Sequence, residues 1–87
     1  MDTRINIALV EDNDDLRYLL FRDISRAGYA VQNAGCADDL DDLAATTAFD
    51  ILILDINLPG ENGLEIAHRY KQANPDLYII MLTARVA

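Results

Sequence analysis

The sequence predicts a single α/β domain built on a parallel sheet. Short apolar runs rich in β-branched residues alternate with helical periodicities along the chain, and one of those runs is apolar at every position. No linker, low-complexity tract or internal repeat interrupts the alternation, and strands that alternate with helices call for right-handed crossovers between parallel strands.

Residues 5–10 form a short, mostly apolar run that ends at Glu11-Asp12, and its length and β-branched content predict a buried first strand. Leu16, Leu19, Leu20, Ile24 and Ala27 then recur at three- and four-residue steps, with Asn13 as N-cap and Gly28 as the stop. A brief second strand is expected over residues 29–33, by position and partial alternation. Leu40, Leu43, Ala44 and Ala48 mark a second helix starting at Ala37 behind Cys36, a poor N-cap, and Asp38 and Asp39 in its first turn complement the helix dipole. Ile51-Leu52-Ile53-Leu54 is apolar without alternation, as a central strand covered on both faces should be, and it ends at Asp55. Pro59-Gly60 and Gly63 break the chain into a loop. Leu64, Ala67 and Tyr70 give a third helix, terminated by Asn74-Pro75, and residues 77–82 a fourth strand.

Composition narrows the function. The chain of 87 residues is 52% apolar and 25% charged, a globular profile. A domain this small buries only somewhat more than ~60% of its unfolded surface, so each element counts. Its formal net charge is −8, a field that repels phosphate backbones and anionic membranes, so direct nucleic-acid or membrane binding is not expected. Neither a signal-peptide pattern nor an apolar run of the ~20 residues a bilayer requires is present, and a cytoplasmic location is expected. Cys36 is the single cysteine and His68 the single histidine; neither has the neighbours of a zinc site, and both read as structural.

In an open parallel sheet, ligands bind beyond the carboxyl ends of the strands. Those ends carry Glu11-Asp12, Asp55 and Thr83-Ala84, so three strands deliver acids or a hydroxyl to one rim. Clustered carboxylates repel one another and need a divalent cation to stay ionised together, and an all-oxygen donor set favours Mg2+ over zinc or copper.

With Glu11-Asp12, the segment Leu54-Asp55-Ile56-Asn57-Leu58-Pro59-Gly60-Glu61-Asn62-Gly63, and Thr83-Ala84 after an apolar strand, the sequence resembles the receiver domains of two-component response regulators over essentially its whole length. The resemblance implies a flavodoxin-like, doubly wound parallel sheet. It also implies that Asp55 accepts a phosphoryl group from a sensor histidine kinase or phosphotransfer protein. Glu11, Asp12, Asp55 and the backbone carbonyl of Asn57 would hold Mg2+. Thr83 would be the switch hydroxyl with the Ala84 amide beside it, and Pro59 and Gly63 would shape the loop. An aspartate is a competent nucleophile for in-line phosphoryl transfer, and the added charge could bias a two-state surface.

The family continues past the fourth strand with a helix, a fifth strand ending in a phosphate-binding Lys, and a final helix. The resemblance thus implies that residues 1–87 are a receiver truncated after the order β-α-β-α-β-α-β. Lys71, the only lysine, falls in the third helix and cannot take that role, so impaired phosphorylation is expected. With the strand order 2-1-3-4-5 of this fold, the fourth strand becomes an edge whose apolar residues 79–82 favour pairing with a second copy. Three other readings stand against this one. An aspartate-nucleophile phosphatase usually has a second Asp two residues after the first, where Asn57 stands. An EF-hand at Asp12-Asn13-Asp14 fails because Arg17 occupies the glycine position. A receiver-like module that binds partners without phosphorylation is the third.

Overall fold

The structure, a computed structural model, describes residues 4–82. Its elements follow the expected order: β1 (Asn6–Val10), α1 (Asp14–Arg26), β2 (Ala30–Ala34), α2 (Ala37–Ala44), β3 (Ile51–Asp55), α3 (Gly63–Ala73) and β4 (Tyr78–Leu82). All strand pairs are parallel and the sheet order is β2-β1-β3-β4, which leaves β4 at an edge among the described residues.

Local chemistry sets the helix ends. The Asn13 side chain accepts from the Leu16 amide at 2.9 Å and caps α1. At its other end Gly28 takes φ +102°, a left-handed conformation that costs glycine nothing. α3 starts with a capping box: the Glu65 amide donates to Asn62 at 3.0 Å while the Asn62 amide donates to the Glu65 carboxylate at 3.2 Å. α2 starts behind Cys36 with no side-chain cap and ends at Ala44, four residues before the expected Ala48. Thr46 and Thr47 both turn their amides to the Leu43 carbonyl there, and threonine favours such local turns over continued helix. β2 begins one residue later than expected, with Tyr29 left in the connection.

The apolar run of β3, uniform in sequence, is not uniform in burial. Ala8, Val10, Leu52 and Leu54 are buried on one face with Leu40 of α2 and Ile66 of α3, and Ile79 and Met81 pack against that cluster. Ile7, Ile51, Ile53 and Ile80 face the opposite way and share a shallow groove with Ile24 of α1 and Ala27, its C-cap. Among the described residues α1 is the helix on this second face, where Ile7 is buried, and it contributes no buried residue of its own. Helices thus lie on both faces of β3, as expected, but cover is complete only where Leu52 and Leu54 are buried, and Ile51 and Ile53 stay half-buried.

An ion-pair network ties α2, the β3-α3 loop and α3 together. Arg69 donates to both oxygens of Asp41, at 3.1 and 3.2 Å, and to both oxygens of Glu61, at 3.0 and 2.8 Å. The Tyr70 hydroxyl donates to Asp41 at 2.6 Å. Burial pushes the Asp41 carboxyl up, but the Tyr70 hydroxyl and the Arg69 guanidinium outweigh it and hold the group below the usual carboxylate range. A folded value below the unfolded one contributes stability that is present above the unfolded pKa and is lost as pH falls through the folded value. Asp41→Asn should therefore cost about 1 kcal/mol at neutral pH, as expected for a half-exposed network. Urea melts of the two proteins should converge once the pH drops below the ordinary carboxylate range; a gap that stays constant across that range would rule out the charged form of Asp41 as its source.

Gly63 marks the tightest backbone approach. A Cβ at this position would overlap the Asp55 carbonyl oxygen and lie 2.8 Å from the Ile56 Cα. The close approach also brings the Gly63 amide to the Ile56 carbonyl at 2.9 Å. Gly63→Ala should destabilise by about 1–3 kcal/mol, the usual cost of forcing a packed backbone apart. Urea denaturation with an unchanged midpoint would contradict this account of the glycine.

Candidate functional site

Pairing of β1 with β3 in the register Val10↔Leu54 makes Glu11 and Asp55 neighbours as the two strands end. Asp12 follows Glu11 out of the sheet. One carboxylate oxygen from each of Glu11, Asp12 and Asp55 falls within 4.8 Å of the others. Glu11 and Asp55 are only 3% and 8% exposed, the charged residues counted as buried among those described, whereas Asp12 is exposed.

Burial is the largest influence on Glu11 and raises its carboxyl. The Asn13 amide, donating to Oε2 at 3.1 Å, opposes the rise, while a hydrogen bond with Asp12 and the charges of Asp55 and Asp12 add to it. A partly desolvated acid beside two others is poor in counter-charge, and a hard divalent cation supplies it through oxygen ligands alone. The donor set fits Mg2+.

Asp55 is held from its own loop: the Asn57 amide donates to its Oδ1 at 3.1 Å, which fixes the orientation of the carboxylate. Asn57 is exposed and lines, with Asp12, Ile56, Leu58, Pro59 and Asn62, an open cleft of about 430 Å³ at the rim. Leu82, the partner of Asp55 in the sheet, accepts from the Ile56 amide at 3.3 Å and is the last residue of β4. Thr83 and Ala84 lie outside the described residues. Lys71 is far from the rim: its Nζ donates to the Leu77 carbonyl at 2.6 Å, at the end where β4 begins.

Sequence reasoning missed Arg17, whose Nη1 donates to the Glu11 carbonyl at 2.8 Å and whose Nη2 donates to Asp14 at 2.6 Å. The only signal was a lone cation in an acidic first turn. It also missed the Arg69 network, because Asp41 and Arg69 are 28 residues apart and no local pattern joins them.

Comparison with known proteins agrees with this architecture. The pattern of the response regulator receiver domain matches residues 7–87. The chain is similar to the transcriptional regulatory protein PmrA of Pectobacterium parmentieri, at 33% identity over 93% of this chain and 36% of that protein. It is also similar to the DNA-binding transcriptional regulator NtrC of Azospirillum brasilense, at 34% identity over 91% of this chain and 16% of that protein. It thus spans about a third or less of these two relatives. Among solved structures it is similar to the non-phosphorylated HemR receiver domain of Leptospira biflexa, with a TM-score of 0.86 and 31% identity over 97% of this chain and 68% of that one. The response regulator TrrA of Thermotoga maritima, solved in complex with Mg2+ and BeF, gives a TM-score of 0.86 and 32% identity over 93% of this chain and 70% of that one. Four parallel strands in flavodoxin-like order, an acidic cluster where β1 and β3 end, and a family pattern spanning residues 7–87 together establish that this chain belongs to the response regulator receiver domain family of two-component signalling.

Proposed function

We propose that this receiver accepts a phosphoryl group on Asp55 from a sensor histidine kinase or a phosphotransfer protein, with Mg2+ held by Glu11, Asp12, Asp55 and the Asn57 carbonyl. The observation that carries this reading is the convergence of three carboxylates within 4.8 Å where two adjacent strands end. The similar TrrA structure, described as a complex with Mg2+ and BeF, supports it.

An Asp55 carboxylate oxygen forms the new P–O bond as the donor's P–N bond to histidine breaks and the imidazole nitrogen keeps the electron pair. The Asn57 amide keeps the nucleophile oriented. Glu11 and Asp12 present the negative charge that recruits the cation, and Thr83 and the Ala84 amide receive the phosphoryl oxygens. When bound, Mg2+ neutralises charge shared by donor, acceptor and pocket. The domain passes on a signal and is not an enzyme acting on a separate substrate, and it works in the cytoplasm. DNA contact, named for the NtrC relative, would belong to a different part of a longer protein, since this segment carries a net charge of −8.

The position of Lys71 gives the alternative reading its weight. Lys71, the one lysine of residues 1–87, donates to the Leu77 carbonyl at the opposite end of the sheet and does not supply an ammonium group to the phosphoryl oxygens. On the alternative reading the fold serves as an interaction module without phosphorylation.

Titration with Mg2+, followed by amide chemical shifts, should perturb residues 11–12 and 55–57, and beryllofluoride added with Mg2+ should bind at Asp55. Asp55→Asn should abolish the beryllofluoride response and weaken Mg2+. No response of the parent protein at those amides would remove the site; a Mg2+ response without beryllofluoride binding would favour the interaction module.

The same reading extends to assembly. β4 pairs with β3 along one edge, and Ile80 stays 40% exposed beside it. A strand edge without charge or proline over residues 79–82 templates pairing, so a second copy adds to the sheet at β4. Sedimentation at rising concentration should show a dimer or larger species that Ile80→Lys shifts toward monomer; a folded monomer at every concentration in both proteins would reject the pairing.

A further inference from the structure

Glu11 and Asp12 leave β1 at the point where sheet hydrogen bonding stops, so something else must set the direction of their side chains. The Glu11 amide donates to the Ala34 carbonyl at 3.1 Å, which ties one side of the residue to the end of β2. The Glu11 carbonyl is held by Arg17 Nη1 at 2.8 Å, from the first turn of α1. Arg17 Nη2 reaches Asp14 at 2.6 Å, and the Arg17 side chain is 21% exposed against 86% for Asp14. The Asp14 contact is thus a surface pair of little weight, whereas the bond to the Glu11 carbonyl is partly buried.

Gly35, which follows β2, completes the arrangement. A Cβ there would sit 3.2 Å from Arg17 Nη1, tighter than ordinary contact, so the guanidinium lies against bare backbone. Arg17 does not take the place a cation beside three acids would be expected to take, on the carboxylates themselves. It bonds a main-chain oxygen, which braces the loop and leaves the acid oxygens to a metal ion.

We propose that Arg17 is a positioning residue for the acid pair: by fixing the Glu11 carbonyl between β1 and α1 it sets the direction in which Glu11 and Asp12 project, and Gly35 is glycine to admit it. The proposal rests on the reading of Glu11, Asp12 and Asp55 as a Mg2+ site. A planar fork that bonds two acceptors at once is a property of arginine that lysine lacks.

The sign of one measurement separates positioning from electrostatics. Removing a cation near three carboxylates should, by charge alone, tighten Mg2+ binding. Loss of positioning should weaken it, by about tenfold for a group that supports a ligand. Mg2+ titrations followed at the amides of residues 11–12 and 55–57 would compare the parent with Arg17→Gln, Arg17→Lys and Gly35→Ala. The expected result is a weakening of about tenfold in Arg17→Gln and a smaller loss in Arg17→Lys, which keeps the charge but not the fork. Gly35→Ala should lose affinity in the same direction. Asp41→Asn, which lowers stability without touching the acid pair, should leave Mg2+ affinity unchanged, and a matching loss in that variant would overturn a specific role for Arg17. Binding in Arg17→Gln as tight as the parent or tighter would overturn the proposal while the Mg2+ site stood. A parent protein that does not bind Mg2+ would remove the site and the proposal with it. Should Arg17→Gln fail to melt cooperatively, unchanged affinity in both Arg17→Lys and Gly35→Ala would overturn it instead.

Discussion

Parallel pairing of β1 with β3 decides the rest of the architecture, because the register that sets Val10 beside Leu54 also sets Glu11 beside Asp55. Two acids in neighbouring strand exits, only 3% and 8% exposed, are an unfavourable pair in a folded protein of net charge −8. Nothing about stability asks for them there. The surrounding hydrogen bonds organise this unfavourable contact: the Asn13 amide on Glu11, the Asn57 amide on Asp55, and Gly63 drawing α3 against the Asp55 backbone. Asn13 lies two residues beyond Glu11, Asn57 two beyond Asp55, and Gly63 opens α3, so the rim is built by the connections that lead from strand to helix.

The two faces of the sheet carry different loads. On the α2 and α3 face, Ala8, Val10, Leu52 and Leu54 close a continuous core with Leu40 and Ile66. On the other face α1 covers β1 and β2, while Ile53 and Ile80 stay only partly covered. The Arg69 network strengthens the better packed side, tying α2 and α3 to the loop that bears Glu61. The site therefore sits above a sheet held firmly from one side.

Much of this was legible in the sequence, for reasons tied to particular residues. The strand exits at Glu11 and Asp55 followed from apolar runs that stop at acids, and Asn13 and Gly28 gave the ends of α1 through capping chemistry. Ala48 misled, because an alanine at helical spacing carries no information about where Thr46 and Thr47 turn the chain. The incomplete cover of Ile53 was not readable, since periodicity identifies an apolar face but not what lies against it. Arg17 and Arg69 were invisible for a related reason: their partners are a main-chain carbonyl and acids distant in sequence, which only the folded chain brings near. Thr83 and Ala84, read from the sequence as part of the site, fall outside the described residues.

The half-covered isoleucines beside α1 bear on how the domain responds to temperature. Apolar surface already in water before unfolding adds nothing to the heat capacity gained when the chain opens. With Ile80 at 40% and Leu19 at 45% exposure, the heat-capacity increment per residue falls below that of a fully sealed sheet. A smaller increment flattens the stability curve, so warming and cooling each erode this fold more gradually than its size alone would suggest.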